Sequence, residues 1–528
     1  MSMHPIDRSE IPEETAKLGH ELLNKNNMYR LIGDLLVNLI KDEDFADMYS
    51  SIGGSALSPV LLSLVLIFQM LEKLPDRLAA EAVRLRIDWK YALHLPLNWA
   101  GFHFTNLNHF RDRLLKHEAE YLVFERLLEK IVEMGFMRRR GKQRTDSMSV
   151  LGLIAKLSRL EMVWETMRMA LKAIQAQDEA WLEQTVPEVY LEQYTIRQHD
   201  YDLKEGKVAE ALCQAGADGL WLLQQLEKGP AELRDLEAVQ TMHTVWEQQF
   251  EWDEAGEYTG PREKLDAHGL IQSPHEPEAH YRKKRAKSWQ GYAGQVTETA
   301  EEAGDPNFIT DVEATDAQVS DCNALPEIQK RLAERDLTPS EHYVDQAYVS
   351  GTRLAESAEQ GIRLVGPVAN EAGPKEFKLS DFTVDLEQKE ATCPEGKQAL
   401  RWTTSRRPDG TLNHTAHFDE QCASCSSRFR CTQAKAGRTI TTHEHHDQVV
   451  QRRAEMETAA FWQAMKHRPP VEGTISQLAR MGMRHARYRG RRKVNLQSIL
   501  TATAVNLRRL CRVWATGQKP SWATESSV

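Results

Sequence analysis

The chain has 528 residues, 41% of them hydrophobic and 27% charged, which describes an ordinary soluble globular protein of three or so domains with ample core. The start MSMHPIDRSE carries no apolar signal segment, and the longest apolar run, VLLSLVLIFQML at 60–71, is too short for a membrane span. A cytoplasmic protein with no membrane partner is expected. The net charge of −10 would argue against a nucleic-acid partner if it were spread evenly.

It is not spread evenly. Residues 174–260 hold 19 acids against 5 Lys or Arg, whereas residues 468–512 hold 11 Lys or Arg against one acid, Glu472. The second stretch is built to lie on polyanion. Of the seven cysteines, Cys213, Cys322 and Cys511 are scattered, and Cys393, Cys422, Cys425 and Cys431 are grouped.

In chain order, residues 1–137 read as a helical N-terminal domain. Ser58 and Pro59 form a helix start before the apolar run, and DRLAAEAVRLRIDWKYALHL follows. In FTNLNHFRDRLLK, Leu107, Phe110 and Leu114 mark a core face, which leaves Asn106, His109, Arg111 and Arg113 outward. A short basic helix after two packed ones suits a helix-turn-helix DNA reader; a plain bundle with a solvated face fits the same residues.

Residues 138–389 then read as the first part of an α/β core. RRRGKQRTDSMSVLGLI switches from basic to apolar around Asp146, as a strand end would. An acidic helical insertion with Trp181, Trp221, Trp246 and Trp252 occupies about 160–265. WQGYAGQVTET, NFITDVEAT and HYVDQAYVSG read as strands, with a helix in AQVSDCNALPEIQKRLAERD, and this order implies a mixed sheet. Residues 390–440 form a small four-Cys insertion. The core resumes over 441–515, where Leu496, Ile499, Leu500, Leu507, Leu510 and Trp514 keep a helical stripe and Arg508, Arg509 and Arg512 fall off it; 516–528 is a tail.

Three acids stand in telling places: Asp146, Asp345 at the end of HYVD, and Glu472 at the head of the basic stretch. An acid at a strand end is costly if buried unpaired, so such positions commonly bind metal or catalyse. Two strand-borne Asp and a helix-borne Glu suit the divalent-ion sites of phosphoryl transfer. The bases around Glu472 would hold a DNA backbone.

These residues carry a resemblance. LEKLPDRLAAEAVRLRIDWKYALHLPL with NLNHFRDRLL, the block RTDSM, HYVDQAYVSG, and RPPVEGTISQLAR with ARYRG and NLRRL occur in the order found in bacterial insertion-sequence DDE transposases. The resemblance implies an RNase-H-like catalytic fold and a catalytic triad of Asp146, Asp345 and Glu472 holding Mg or Mn. It implies cleavage at the element's ends and direct transesterification by the freed 3′-OH into target DNA. The partners would be double-stranded DNA, as terminal inverted repeats and target, and a second copy of the chain, with no small-molecule substrate. Arg468, Arg480, Arg484, Arg487, Arg489, Arg491, Arg492 and Lys493 are the expected DNA contacts beside the N-terminal four, with Arg468 and Arg480 nearest the chemistry.

Two departures stand out. The family carries a Tyr-x2-Arg-x3-Glu-x6-Lys signature around its third acid. Here Arg468 and Glu472 keep the spacing, Met465 stands at the Tyr position, and Ala479, with Arg480 next to it, at the Lys position. The acid upstream of WQGY is Glu276, which is not counted as catalytic.

The spacing C-x28-C-x2-C-x5-C suggests structural zinc on Cys393, Cys422, Cys425 and Cys431, with an iron–sulfur cluster as the alternative. Two further functions compete with a transposase: a catalytically silent DNA-binding protein derived from one, and a nuclease without strand transfer.

Overall fold

The computed structural model describes residues 2–3, 10–35, 39–50, 52–154, 157–203, 206–284, 286–371, 376–408 and 410–522. The expected tail therefore falls partly outside the described residues. The N-terminal part forms α1 (Glu13–Leu22), α2 (Met28–Leu35), α3 (Pro59–Glu72), α4 (Asp76–Leu85), α5 (Ile87–Ala92), α6 (Thr105–Lys116) and α7 (Leu122–Glu133). The Ser58 side chain accepts from the Leu61 amide at 3.1 Å and caps α3, whose residues are apolar almost all round and mostly buried.

In α6 the expected outward face holds for His109. Arg111 departs from it: only 4% exposed, it donates both Nη atoms to Asp76 at 3.1 and 2.5 Å and stacks under Tyr488. An acid 35 positions upstream makes an arginine tolerable in the core, and no periodicity in α6 could reveal that.

After α7 the chain enters β1 (Lys142–Leu151) and then the acidic segment. The latter folds as α8 (Arg159–Gln177), α9 (Glu179–Thr185), α10 (Glu188–Tyr194), α11 (Lys207–Lys228), α12 (Ala231–Arg234), α13 (Glu237–Gln249) and a hairpin of β2 (Phe250–Trp252) and β3 (Tyr258–Pro261). It has its own apolar core, with Trp246 fully buried against Gly219 of α11. Acids crowd its surface while its interior is Leu, Val, Met and Trp, as an inserted helical unit requires.

The sheet resumes with β4 (His280–Lys284), β5 (Lys287–Thr299) and β6 (Ile309–Asp316). Helix α14 (Asp321–Glu334), β7 (Glu341–Tyr343), α15 (Gly351–Glu359) and β8 (Arg363–Val365) follow. The strand order is β4-β5-β1-β7-β8, and β6 lies beside β5. β1 runs parallel to β7, and β7 to β8, whereas β5 is antiparallel to β1, β4 and β6. The expected mixed sheet is therefore present. Gly291 sits where β5 changes partner, with φ 144° and its α-carbon packed on β1; a Cβ there would lie 2.2 Å from the Val150 carbonyl oxygen.

Residues 376–443 add β9 (Thr383–Asp385), β10 (Glu390–Thr392), β11 (Arg401–Arg406), β12 (Leu412–His417), the single turn α16 (Arg428–Cys431) and β13 (Thr439–His443). The last part comprises α17 (His446–Met456), α18 (Ala459–Ala464), α19 (Val471–Arg480) and α20 (Arg491–Thr516). α20 is the spine of the molecule: one side packs on β6, and others on α2, α3, α6 and α7, so a single apolar core runs from the N-terminal helices into the sheet. Leu496, Ile499, Leu500, Leu507 and Leu510 are buried as their stripe predicts, but Trp514 is 49% exposed beyond the last sheet contact.

Candidate active site

Asp146 is the fifth of ten residues in β1, so it lies inside a strand and not at its end. Its position is nonetheless a boundary. The parallel ladder with β7 stops at Arg144, while the antiparallel ladder with β5 continues to Leu151. Asp146 thus stands just past the point where the sheet loses one neighbour. Asp345 lies just past β7, where its Oδ1 accepts the Ala347 amide at 2.8 Å and caps a short 3-10 turn. Glu472 occupies the first turn of α19, where a carboxylate is favoured by the helix dipole, and is exposed.

One side chain joins all three. Arg468 Nη2 lies 2.7 Å from Asp146 Oδ2 and 3.9 Å from Asp345 Oδ2, and Nη1 lies 2.8 Å from Glu472 Oε1. Three acids from segments more than a hundred residues apart therefore converge on one guanidinium that is itself 14% exposed. Asp146 also accepts the Ser147 amide at 2.8 Å. Burial holds the Asp146 carboxyl above its usual range, with Arg468 pulling it back and Asp345 pushing it further up.

The supporting layer was not evident from the sequence. On the face of β1 shared with Asp146, buried Arg144 meets Glu298 at 2.7 Å and donates to the His467 carbonyl at 2.9 Å, which fixes the turn before Arg468. Glu298, fully buried, also accepts from Thr474 of α19 at 2.5 Å and Arg509 of α20 at 3.0 Å. On the opposite face, Thr145 Oγ1 meets Thr297 Oγ1 and the buried His342, both at 2.6 Å. Burial keeps His342 neutral by lowering its pKa to about 4. Only the sheet register brings these residues together, so no local motif signals them.

Met465 packs against the Ala300, Tyr343, Val365 and Phe461 cluster, an apolar niche at the position where the signature has a tyrosine. Glu276 is buried, accepting from the Leu153 and Gly490 amides and the Tyr292 hydroxyl. Arg480 departs from expectation: it lies two turns along α19 from the acids and lines a cleft beside α20.

The other expected DNA contacts divide in two. His109, Arg484 and Arg489 are exposed with no ion pair among the described residues, and Asn106 donates to the His103 carbonyl. Arg111, Arg113, Arg487, Arg491, Arg492 and Lys493 are instead engaged within the chain. Arg113 lies over Tyr49 at 4.3 Å and Arg487 beside Asp76 at 3.8 Å; Arg491 approaches Glu278, Arg492 Glu120 and Lys493 Asp112, at 3.8, 3.8 and 3.0 Å.

Among the described residues, no three His, Cys, Asp or Glu side chains are grouped so as to hold a metal ion by themselves. The carboxylates are gathered around a guanidinium, and their chemistry suits a hard divalent cation: three oxygen donors of like charge, two half-buried and one exposed, facing a positive group. Cys393, Cys422, Cys425 and Cys431 line a common small cavity of about 20 Å³, and the Lys397 and Arg438 amides point at Cys393 Sγ and Cys422 Sγ at 3.4 and 3.3 Å. Burial raises the Cys431 thiol's pKa, and the other three sulfurs add to the shift.

Residues 18–113 match the family model described as Transposase domain (DUF772), and residues 392–511 match Transposase DDE domain. No curated protein matches the chain. Among the described residues, no helix is long and apolar enough to cross a membrane.

Proposed function

We propose that this chain is an insertion-sequence DDE transposase, as its two matched segments support, and that Asp146, Asp345 and Glu472 are its catalytic triad, cutting DNA at an element's ends and joining the freed 3′-OH to target DNA. The observation that carries this reading is the convergence of the three carboxylates on Arg468. The strand order, with β1, β7 and β8 parallel, β5 antiparallel to β1 and β6 antiparallel to β5, supports an RNase-H-like core.

The triad would hold Mg or Mn, and a divalent cation there supplies the charge that activates the attacking oxygen and stabilises the leaving one. The chain's own residues do the rest. β1 and the turn after β7 fix Asp146 and Asp345. Arg144 and Glu298 fix the His467–Arg468 turn and α19, and with them Glu472. Arg468 offsets part of the charge of the three acids, and were it to turn outward its guanidinium could take a DNA phosphate. Cleavage exchanges a phosphodiester for a 3′-OH and a 5′-phosphate, with water as nucleophile. In joining, the 3′-OH forms one P–O bond as a target bond breaks, so no covalent enzyme intermediate is needed.

Incubating the protein with Mg²⁺ and DNA bearing the terminal repeats tests this. Joined products are expected; cleavage without joining would favour a nuclease, and binding alone a silent DNA-binding derivative. The expected zinc or iron–sulfur set on Cys393, Cys422, Cys425 and Cys431 gains no support: among the described residues these thiols form no group that holds a metal. Pairing of two DNA ends would call for a dimer, which light scattering with end DNA would detect.

A further inference from the structure

Beside the triad helix lies an open cleft of about 800 Å³, walled by α19, the lower half of α20, the end of α3 and the 304–307 loop. Lys73, Arg480, Arg508 and Arg512 line it, all exposed, and none of their side chains has an ion pair or hydrogen bond among the described residues. The one acid lining it, Asp305, is tied at 2.7 Å to both the amide and the hydroxyl of Ser521. Arg509 is committed to Glu298, Thr474 and Gln477 and braces the wall between cleft and triad. In a chain with more acids than bases, four adjacent unmatched cations form a local positive field.

Gly473 is a second, independent observation. It stands in the first turn of α19, a helical position that asks for no glycine. Its φ is not positive, and a Cβ there would meet nothing within 4 Å. Nothing in the fold requires glycine at this position; a bare backbone on a cleft wall suits close approach by a ligand. Gly473 follows Glu472 directly, and with about 100° of rotation per residue the wall formed by Gly473, Gln477 and Arg480 flanks the face that bears the carboxylate.

We infer that this cleft seats the DNA backbone that continues from the scissile phosphodiester, with Lys73, Arg480, Arg508 and Arg512 on its phosphates. The inference rests on the triad reading for its direction, but binding can be measured without chemistry. The test uses full-length protein without divalent metal and fluorescent end DNA, measuring anisotropy across a salt series, with unfolding midpoints as a fold control. Arg508→Ala/Arg512→Ala should weaken binding about tenfold and lower the slope of log K against log salt by about two, since each phosphate contact contributes about 0.9. Arg508→Lys/Arg512→Lys should restore the slope. Shortening the DNA on one side of the cleavage point should abolish the difference between wild type and the double alanine variant. Unchanged affinity and slope in the alanine variant would overturn the inference, as would equal losses on DNA shortened to either side. A wild-type protein that shows these effects yet cuts nothing would sink the triad reading and leave the cleft standing.

Discussion

At and just before the head of α20, Arg487, Arg491, Arg492 and Lys493 each lie beside an acid of this chain, whereas toward its foot Arg508 and Arg512 have no such partner among the described residues. The head belongs to the most basic stretch of the sequence, and its charge is largely matched by Asp76, Glu278, Glu120 and Asp112. The foot has fewer bases and more free field. A run of cations in a sequence reports composition, and the folded partners decide whether it reports an electrostatic surface. The triad offers a third case, in which one cation, Arg468, is matched by three acids at once.

If that third case is an active site held by its cation, replacing the acids must hurt chemistry far more than folding. Asp146→Asn and Glu472→Gln are each expected to slow end cleavage by at least about a thousandfold, roughly 4 kcal/mol of barrier. Thermal unfolding of Glu472→Gln should stay near wild type, because that side chain is 66% exposed.

The matched cations should behave in the opposite way. Arg111→Ala leaves Asp76 without its bidentate partner and should cost about 3 kcal/mol in denaturant unfolding. A solvent-screened pair is a weaker contact, so Arg492→Ala/Lys493→Ala should shift stability by less than about 1 kcal/mol. The same variant should move DNA affinity less than the pair at the foot of α20.

Between these magnitudes lies a pH effect under the triad. His342 is buried and neutral, with a folded pKa of about 4 against an ordinary 6.5. The unfolded chain therefore binds the extra proton throughout that window, and stability falls as pH drops from about 6.5 to about 4. The loss from this group is on the order of 3 kcal/mol, and His342→Gln should flatten that part of the stability curve.

What the sequence made legible follows the same division. The mixed sheet, the helical character of the acidic segment and the capped apolar helix α3 are all local or motif-borne, and each was readable. The placement of Asp146 within its strand was not, because β5 extends the ladder on one side after β7 has ended on the other. Arg111 was misread because its partner lies 35 residues away. The strands β11 to β13 of the Cys-bearing unit are polar and mostly exposed or half-buried, so no apolar alternation announced them. The Arg144–Glu298–Arg509 brace joins two strands and a helix. In each case the deciding neighbour is distant in sequence.

The central claim is that Asp146, Asp345 and Glu472 form one cation site that Arg468 fills when metal is absent. The most direct measurement is Mn²⁺ binding to the DNA-free protein, followed by electron paramagnetic resonance, in wild type, Arg468→Ala and Asp146→Asn/Glu472→Gln. The account predicts binding in wild type, tighter binding in Arg468→Ala, and loss of that binding in the double variant. Equal Mn²⁺ binding in all three proteins would contradict it.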